Sequence, residues 1–427
     1  MQAAEKVFTA LETSIMAKTN IIKGNAVIGQ SGGPSAVINQ SLVGVIETLK
    51  KSRQIPKIFG ANHGVRGIVN NKYFDLRKVS AKELEIIAGT PASALGSSRD
   101  KPDEEYCQRI FENFKKNDVR YFFYIGGNDS ADAARIVNDM AKASGYDLNC
   151  FHVPKTIDND LRVTDHTPGY GSAARFVASA FAGEDRDNAA LPGIKVSVVM
   201  GRDAGWLTAS ASLAKYCYGN ECDENVGPHL VYVPEIAFDK EKFAADVMKA
   251  YKKFGRCLIA VSEGIRDAGG TPMAVSLVEA MGREIERDSH GNAQLSGSGA
   301  LGDALSEYIK KAFGSQKVRV RADTYGYLQR SFAGYASVVD QAEARNCGRK
   351  AAELALSGCT DGTVVMVRKK SAKYGVTFER AELKDVARVT KPLDRKFINK
   401  AGNGITKAFA DYALPLVGGL PRLGRLY

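Results

Sequence analysis

Six short apolar runs mark the first two-thirds of the chain: Asn25–Gln30 (NAVIGQ), Val119–Ile125 (VRYFFYI), Asn149–Val153 (NCFHV), Ile194–Met200 (IKVSVVM), His229–Val233 (HLVYV) and Cys257–Val261 (CLIAV). None of them alternates polar with apolar. Near-continuous apolar runs of this length fit strands buried on both faces, as parallel strands are. Helical spacing occupies several of the gaps, notably Ala36–Lys51 and Ser130–Ala143. This β-α-β succession predicts an α/β protein with parallel sheets. No fixed-period repeat or low-complexity linker divides the chain, which suits a two-lobed body with a site between the lobes.

Each run ends in polar or glycine-rich residues: SGGPS (Ser31–Ser35), GGNDS (Gly126–Ser130), PKTIDND (Pro154–Asp160), GRDAGW (Gly201–Trp206), PE (Pro234–Glu235) and SEG (Ser262–Gly264). Open α/β sheets bind ligands beyond the carboxyl ends of their strands, so six such endings predict one large site. SGGPS stands between a strand and a helix, where backbone N–H groups and the helix dipole receive phosphate. It lacks the GxxxxGK[ST] spacing, and alone it reads equally as a structural glycine turn. GGNDS repeats the geometry, with an acid at Asp129 and a hydroxyl at Ser130 that can cap the following helix. PKTIDND offers a cation, a hydroxyl and two carboxylates between Lys155 and Asp160. Phosphoryl transfer needs such parts, although a polar loop with helix caps would look the same.

Composition narrows the classes. An apolar fraction of 44% with 25% charged residues excludes collagen-like, coiled-coil and disordered chains. No run nears the roughly 18 apolar residues of a membrane span. Glu5, Lys6 and Glu12 interrupt the N-terminal apolar stretch, against a signal peptide. Seven cysteines without a CxxC, and five histidines without HExxH, argue against a zinc centre and for a reducing compartment. The expected location is cytoplasmic. Of the net charge of +11, Arg368–Lys400 carries +7 (11 Lys/Arg less 4 Asp/Glu). Only Tyr374, Phe378 and Phe397 could stack on bases there, so no nucleic-acid partner is expected; phosphate handling explains a basic surplus. Gly297–Gly302 (GSGALG) fits GxGxxG, but the preceding RDSHGNAQLS is too polar for the strand a dinucleotide site requires. Trp206 and the Tyr121–Tyr124 aromatics are expected in the core.

GGNDS, PKTIDND, MGRDAGW (Met200–Trp206), SEG and YLQR (Tyr327–Arg330) occur in the order and approximate spacing of the phosphofructokinase family. The sequence resembles most closely the pyrophosphate-dependent branch of that family, by motif over residues 24–335. The resemblance implies two Rossmann-like parallel-sheet lobes with the active site in the cleft between them. It implies an N-terminal extension over 1–23. A donor lobe would cover 24–170, with about 331–385 as a candidate completion, and a sugar-phosphate lobe 171–330, with about 386–427. The implied reaction is reversible, Mg²⁺-dependent transfer of phosphate from pyrophosphate to the 1-hydroxyl of fructose 6-phosphate, a step of glycolysis and gluconeogenesis. Sedoheptulose 7-phosphate is a second candidate acceptor.

By the same resemblance, Asp158 would take the proton of the sugar 1-hydroxyl, with Lys155 and Arg202 completing the catalytic set. Gly32, Arg99, Gly127, Asp129 and Lys155 would bind the donor, and Asn128 and Asp160 the metal. Thr156, Ile157, Met200, Gly201, Arg202, Glu263, Tyr327 and Arg330 would bind the sugar phosphate. Arg321 would reach it from a neighbouring subunit, in a homodimer or homotetramer with shared sites. Five cations (Arg99, Lys155, Arg202, Arg321 and Arg330) would face the phosphates of the two substrates. The ATP-using branch has glycine at the positions of Asp129 and Lys155, so both point to pyrophosphate. Three positions depart from the family: Asn128 replaces an aspartate, Val37 a frequent glycine, and Gly193 an arginine common on the subunit-bridging side. Two alternatives stay open, a catalytically weak regulatory or sugar-phosphate-binding subunit and an ATP-dependent enzyme.

Overall fold

The computed structural model describes residues 22–100, 102–219, 221–280, 299–387 and 389–426. The expected N-terminal extension lies outside them up to residue 21, as does the polar stretch before Gly299.

The larger sheet contains β1 (Asn25–Gln30), β2 (Ile58–Ala61), β3 (Tyr73–Asp75), β4 (Val119–Gly126) and β5 (Asn149–Pro154). The smaller sheet contains β6 (Ile194–Val199), β7 (Leu230–Tyr232), β8 (Cys257–Ser262) and β9 (Val320–Thr324). The chain then returns to the larger sheet with β10 (Asp361–Arg368) and β11 (Val376–Ala381). The larger sheet runs β11-β10-β5-β4-β1-β2-β3, the smaller β7-β8-β6-β9. Pairing is parallel throughout except at the two edges of the larger sheet, β3 on β2 and β11 on β10. All six expected runs are strands, and most of their side chains are buried, as parallel strands covered by helices on both faces require.

Two helices fix the C-terminal segment to the larger sheet. Ile38–Leu49, whose residues are all buried but Glu47, crosses Val338–Leu356 at close range. A Cβ at Gly44 would stand 2.1 Å from the Arg345 carbonyl oxygen, and one at Gly348 2.1 Å from that of Ser41. Only glycine permits this approach of the two backbones. The last residues take the other side: Leu393, Phe397, Phe409 and Leu416 share one apolar cluster with Trp206, Val231 and Leu258 beside the smaller sheet. Trp206 and the four aromatics Tyr121–Tyr124 are core, as expected. Among the described residues no helix is long and apolar enough to cross a membrane.

Candidate active site

At the end of β1 the chain enters Ser31–Ser35, and a neighbouring loop is pinned beside it. Ser31 donates its N–H to Ile125 O (2.9 Å), Gly32 to Ser98 O (2.9 Å), and Ser97 Oγ donates to Gly32 O (2.6 Å). Arg99 therefore leaves the backbone alongside Gly32, with its side chain exposed. Two buried amides hold that loop: Gln30 Nε2 donates to Asn39 Oδ1 (2.9 Å), and Gln30 Oε1 accepts from Leu95 N–H (2.9 Å). Gly32 has φ +74°, which favours glycine, and a Cβ there would lie 3.3 Å from Lys155 Nζ. A Cβ at Gly33 would lie 2.9 Å from an Arg330 guanidinium nitrogen. The glycines thus admit two cations to the loop, and Lys155 Nζ donates to Gly33 O (2.7 Å).

The helix after β4 begins earlier than its spacing predicts, running Asn128–Ala143 with Gly127 as N-cap. No side chain caps it. Ser130, expected to do so, is instead the helix's third residue, and its Oγ would be 2.0 Å from a Cβ at Gly126. Asn128 and Asp129 sit in the first turn, beside uncapped backbone N–H groups that favour anions. Asp129 is exposed, whereas Asn128 Oδ1 is withdrawn from solvent with no hydrogen-bond partner.

Past β5, the Lys155–Asp160 turn carries the densest charge. Thr156 Oγ1 accepts from Asp158 N–H (3.1 Å), and Thr156 O accepts from Thr167 Oγ1 (2.9 Å). Asn159, fully buried at φ +55°, donates Nδ2 to the Tyr412 hydroxyl (2.8 Å). Burial, then the charge of Glu263, pushes the Asp158 carboxyl up to about 6, against the pull of Lys155. Burial and the charge of Asp158 push Asp160 up to about 7. Burial lowers the Lys155 ammonium to about 8, with Asp158 opposing and Arg330 adding to the fall. Carboxylates crowded so that they resist ionising, with a buried ammonium beside them, form a site poised for charged ligands.

The smaller sheet supplies the opposite wall. Met200 N–H is accepted by Gln329 Oε1 (3.1 Å), so the fully enclosed glutamine of YLQR holds the MGR turn. Gly201 has φ +143°, and Ser262 Oγ donates to its carbonyl. A Cβ at Gly264 would lie 1.9 Å from Arg202 O, so MGR and SEG touch backbone to backbone. Glu263 is buried, its N–H on Val199 O (2.9 Å). Arg202 and Tyr327 are exposed, and the Arg330 guanidinium lies 4.4 Å from the Tyr327 ring centre with its Nε buried and unpartnered.

Electrostatics and contacts therefore join Gly32, Lys155, Asp158, Asp160, Glu263 and Arg330 in one cleft. Arg330, expected at the sugar phosphate, approaches the Ser31–Ser35 loop. Arg321 is not brought in: it is exposed on the edge strand β9, in register with Lys195, and makes no hydrogen bond or ion pair with a described residue. Sequence reasoning missed Asn159 and Gln329. The left-handed tolerance of asparagine was a signal for the first; the second stands within YLQR, but its partner at Met200 is 129 residues away.

No three or more His, Cys, Asp or Glu converge as a metal set among the described residues. The acceptors present are oxygens, namely Asp158, Asp160 and the orphaned Asn128 amide oxygen. This suits a hard cation held by one or two carboxylates together with substrate phosphates.

Residues 25–355 match the phosphofructokinase family, and the chain belongs to it. Within that family, a pyrophosphate–fructose 6-phosphate 1-phosphotransferase of Rhodospirillum rubrum is 50% identical over 407 residues, spanning 95% of this chain and 97% of that protein. The enzyme of the same description from Halomonas elongata is 37% identical over 94% of this chain and 96% of its own. The crystal structure of a pyrophosphate-dependent phosphofructokinase from Marinobacter aquaeolei superposes with a TM-score of 0.80 at 32% identity, covering 94% of this chain and 95% of that one.

Proposed function

We propose that this chain catalyses reversible phosphoryl transfer from pyrophosphate to the 1-hydroxyl of fructose 6-phosphate, giving fructose 1,6-bisphosphate and phosphate. The observation that carries the reading is the Lys155–Asp160 turn, a buried ammonium and two carboxylates facing a glycine loop on one side and Glu263 on the other. Asp158 accepts the hydroxyl proton as the sugar oxygen bonds to the near phosphorus and the bridging P–O bond breaks. Lys155, with Arg99 and Arg330, faces the charge that gathers on the departing phosphate. Thr156, Ile157, Met200–Arg202, Glu263 and Tyr327 orient the sugar phosphate.

Asp160 and the Asn128 amide oxygen would hold Mg²⁺, which when bound neutralises phosphate oxygens. The lobe of the larger sheet would take the donor, that of the smaller sheet the sugar. The same reading makes the enzyme cytoplasmic and homo-oligomeric, with Arg321 serving a neighbouring subunit's site. The test is an assay of purified protein with fructose 6-phosphate, Mg²⁺ and either pyrophosphate or ATP. Activity with pyrophosphate supports the reading. Activity with ATP alone overturns the donor, and activity with neither favours a sugar-phosphate-binding subunit.

A further inference from the structure

Residues 389–394, which precede the Arg395–Phe397 turn, run beside the Asp160–Asp165 backbone on one side and the Met200–Trp206 turn on the other. Thr390 bridges Leu161 antiparallel. Lys391 then binds the turn three times: its N–H donates to Asp160 O (2.6 Å), and its Nζ donates to Thr164 O (3.0 Å) and Asp165 O (2.9 Å). Its carbonyl accepts from Trp206 Nε1 (3.1 Å), and its Nζ lies 5.1 Å from the Trp206 ring centre. Two residues on, Leu393 N–H donates to Glu235 Oε1 (2.7 Å), which also accepts from Gly205 N–H (2.8 Å). One lysine and its neighbour therefore join the base-bearing turn of one lobe to the MGRDAGW turn of the other.

The turn needs such a hold. Asn159 (φ +55°) and Val163 (φ +67°) both adopt left-handed backbone, and for the β-branched Val163 that conformation is strained. Strained backbone persists only where its surroundings over-determine it. The carbonyls at 160, 164 and 165 flank Val163, and all three are bonded by Lys391.

We propose that Lys391 is a positioning residue for phosphoryl transfer, which fixes the Asp158–Asp165 backbone in its reactive shape and couples it to the Met200–Trp206 turn. The inference rests on the function proposed above. Misplacing a reacting group by about 1 Å costs on the order of 100-fold, so Lys391→Met should lower kcat by about 10- to 100-fold while the KM of each substrate changes by less than about 3-fold. Lys391→Arg, which keeps charged donors, should recover part of the loss. Trp206→Phe, which keeps the packed ring and deletes only the N–H, should show a smaller kcat loss of the same kind even if Lys391→Met folds poorly. Amide hydrogen exchange supplies a readout independent of activity: Lys391→Met should speed exchange across residues 157–166 and leave β1 and β4 protected. Wild type without pyrophosphate-dependent activity would sink the function while leaving the exchange result to judge the positioning. Unchanged exchange, unchanged kcat in Lys391→Met and Trp206→Phe, or equal loss in Lys391→Met and Lys391→Arg would overturn the positioning role.

Discussion

Lys155 is buried, bonded to the Gly33 carbonyl and flanked by Asp158 and Asp160, whereas Arg99 and Arg202 stand exposed at the same cleft and Arg321 stands exposed on β9, outside it. The two groups carry charge under opposite conditions. Groups in the first have surrendered water, which is costly unless their partners are fixed, and the tightly bonded turn fixes them before any ligand arrives. Such preorganised charge acts chiefly on the transition state. Groups in the second keep their water, draw in polyanions from a distance and become ordered on them. Damage to the enclosed set should therefore appear in turnover, and damage to the exposed set in affinity.

The largest effect expected is that of Asp158→Asn. Removal of a positioned general base typically costs about 10²–10⁴-fold, so kcat should fall by that much with KM values nearly unchanged. A variant keeping more than a tenth of wild-type turnover would take Asp158 out of the base role. Arg321→Ala probes the opposite class. Loss of one charge-assisted bond, about 1.5–3 kcal/mol, should raise KM for fructose 6-phosphate by about 10- to 150-fold, with kcat and the pyrophosphate KM little moved. Because Arg321 joins no site in its own chain, mixing this variant with Asp158→Asn protein should restore some activity in hybrids. No recovery while subunits demonstrably exchange would count against a shared site.

The enclosed set also predicts an alkaline limit. Burial holds the Lys155 ammonium at about 8, so its charge is lost as pH rises through that value. Since kcat/KM reports groups of the free enzyme, it should decline above pH of about 8, by about tenfold per pH unit. Lys155→Arg, whose charge persists, should show a shallower alkaline limb than wild type whatever its absolute rate. Pyrophosphate itself loses its last proton in this alkaline range, and burial lowers the Lys391 ammonium to about 8 as well. A limb common to both proteins therefore belongs to the donor or to Lys391, and only the part lost in the variant belongs to Lys155.

Which parts were legible in the sequence follows the same division. The enclosed strands β1, β4, β5, β6 and β8 lie in the apolar runs that the sequence shows, whereas the enclosed β2 (IFGA), only four residues long, was missed. Edge strands other than β7 read as something else: β9 (VRADT) alternates exposed Arg321 and Asp323 with covered residues, β11 (VTFERA) alternates likewise, and β3 has only three residues. β10 (DGTVVMVR) is a buried run like the others, yet it lies beyond the stretch the motifs cover and was passed over. At the site, glycines and charges that follow a strand directly form contiguous motifs, so Lys155, Asp158 and Glu263 could be singled out. Gln329 and Lys391 act across 129 residues to Met200 and 227 to Thr164, and separations of that kind leave no local pattern. The start of the helix at Asn128 was missed because its cap is a glycine with no side chain to announce it.

The smallest effect tests a carboxylate that belongs to the exposed class although it lies next to the enclosed one. Asp129 occupies the first turn of the Asn128–Ala143 helix, where a nucleotide donor's inner phosphate would have to pass in the proposed site. Like charges about 4 Å apart repel by about 1 kcal/mol in water-like surroundings and about 4 kcal/mol near a protein surface. Asp129 is exposed, so the lower figure applies, equivalent to about fivefold in affinity. Asp129→Gly should thus bind ATP about fivefold more tightly than wild type at fixed Mg²⁺, while pyrophosphate turnover falls only modestly because Lys155 remains. Asp129→Gly with Lys155→Gly should lose pyrophosphate activity far more severely, as removal from the enclosed set predicts. Titration of ATP against wild type and the single variant decides the matter. Equal binding would show that Asp129 does not gate the donor, and a gain far above fivefold would place its carboxylate among the water-excluded charges after all.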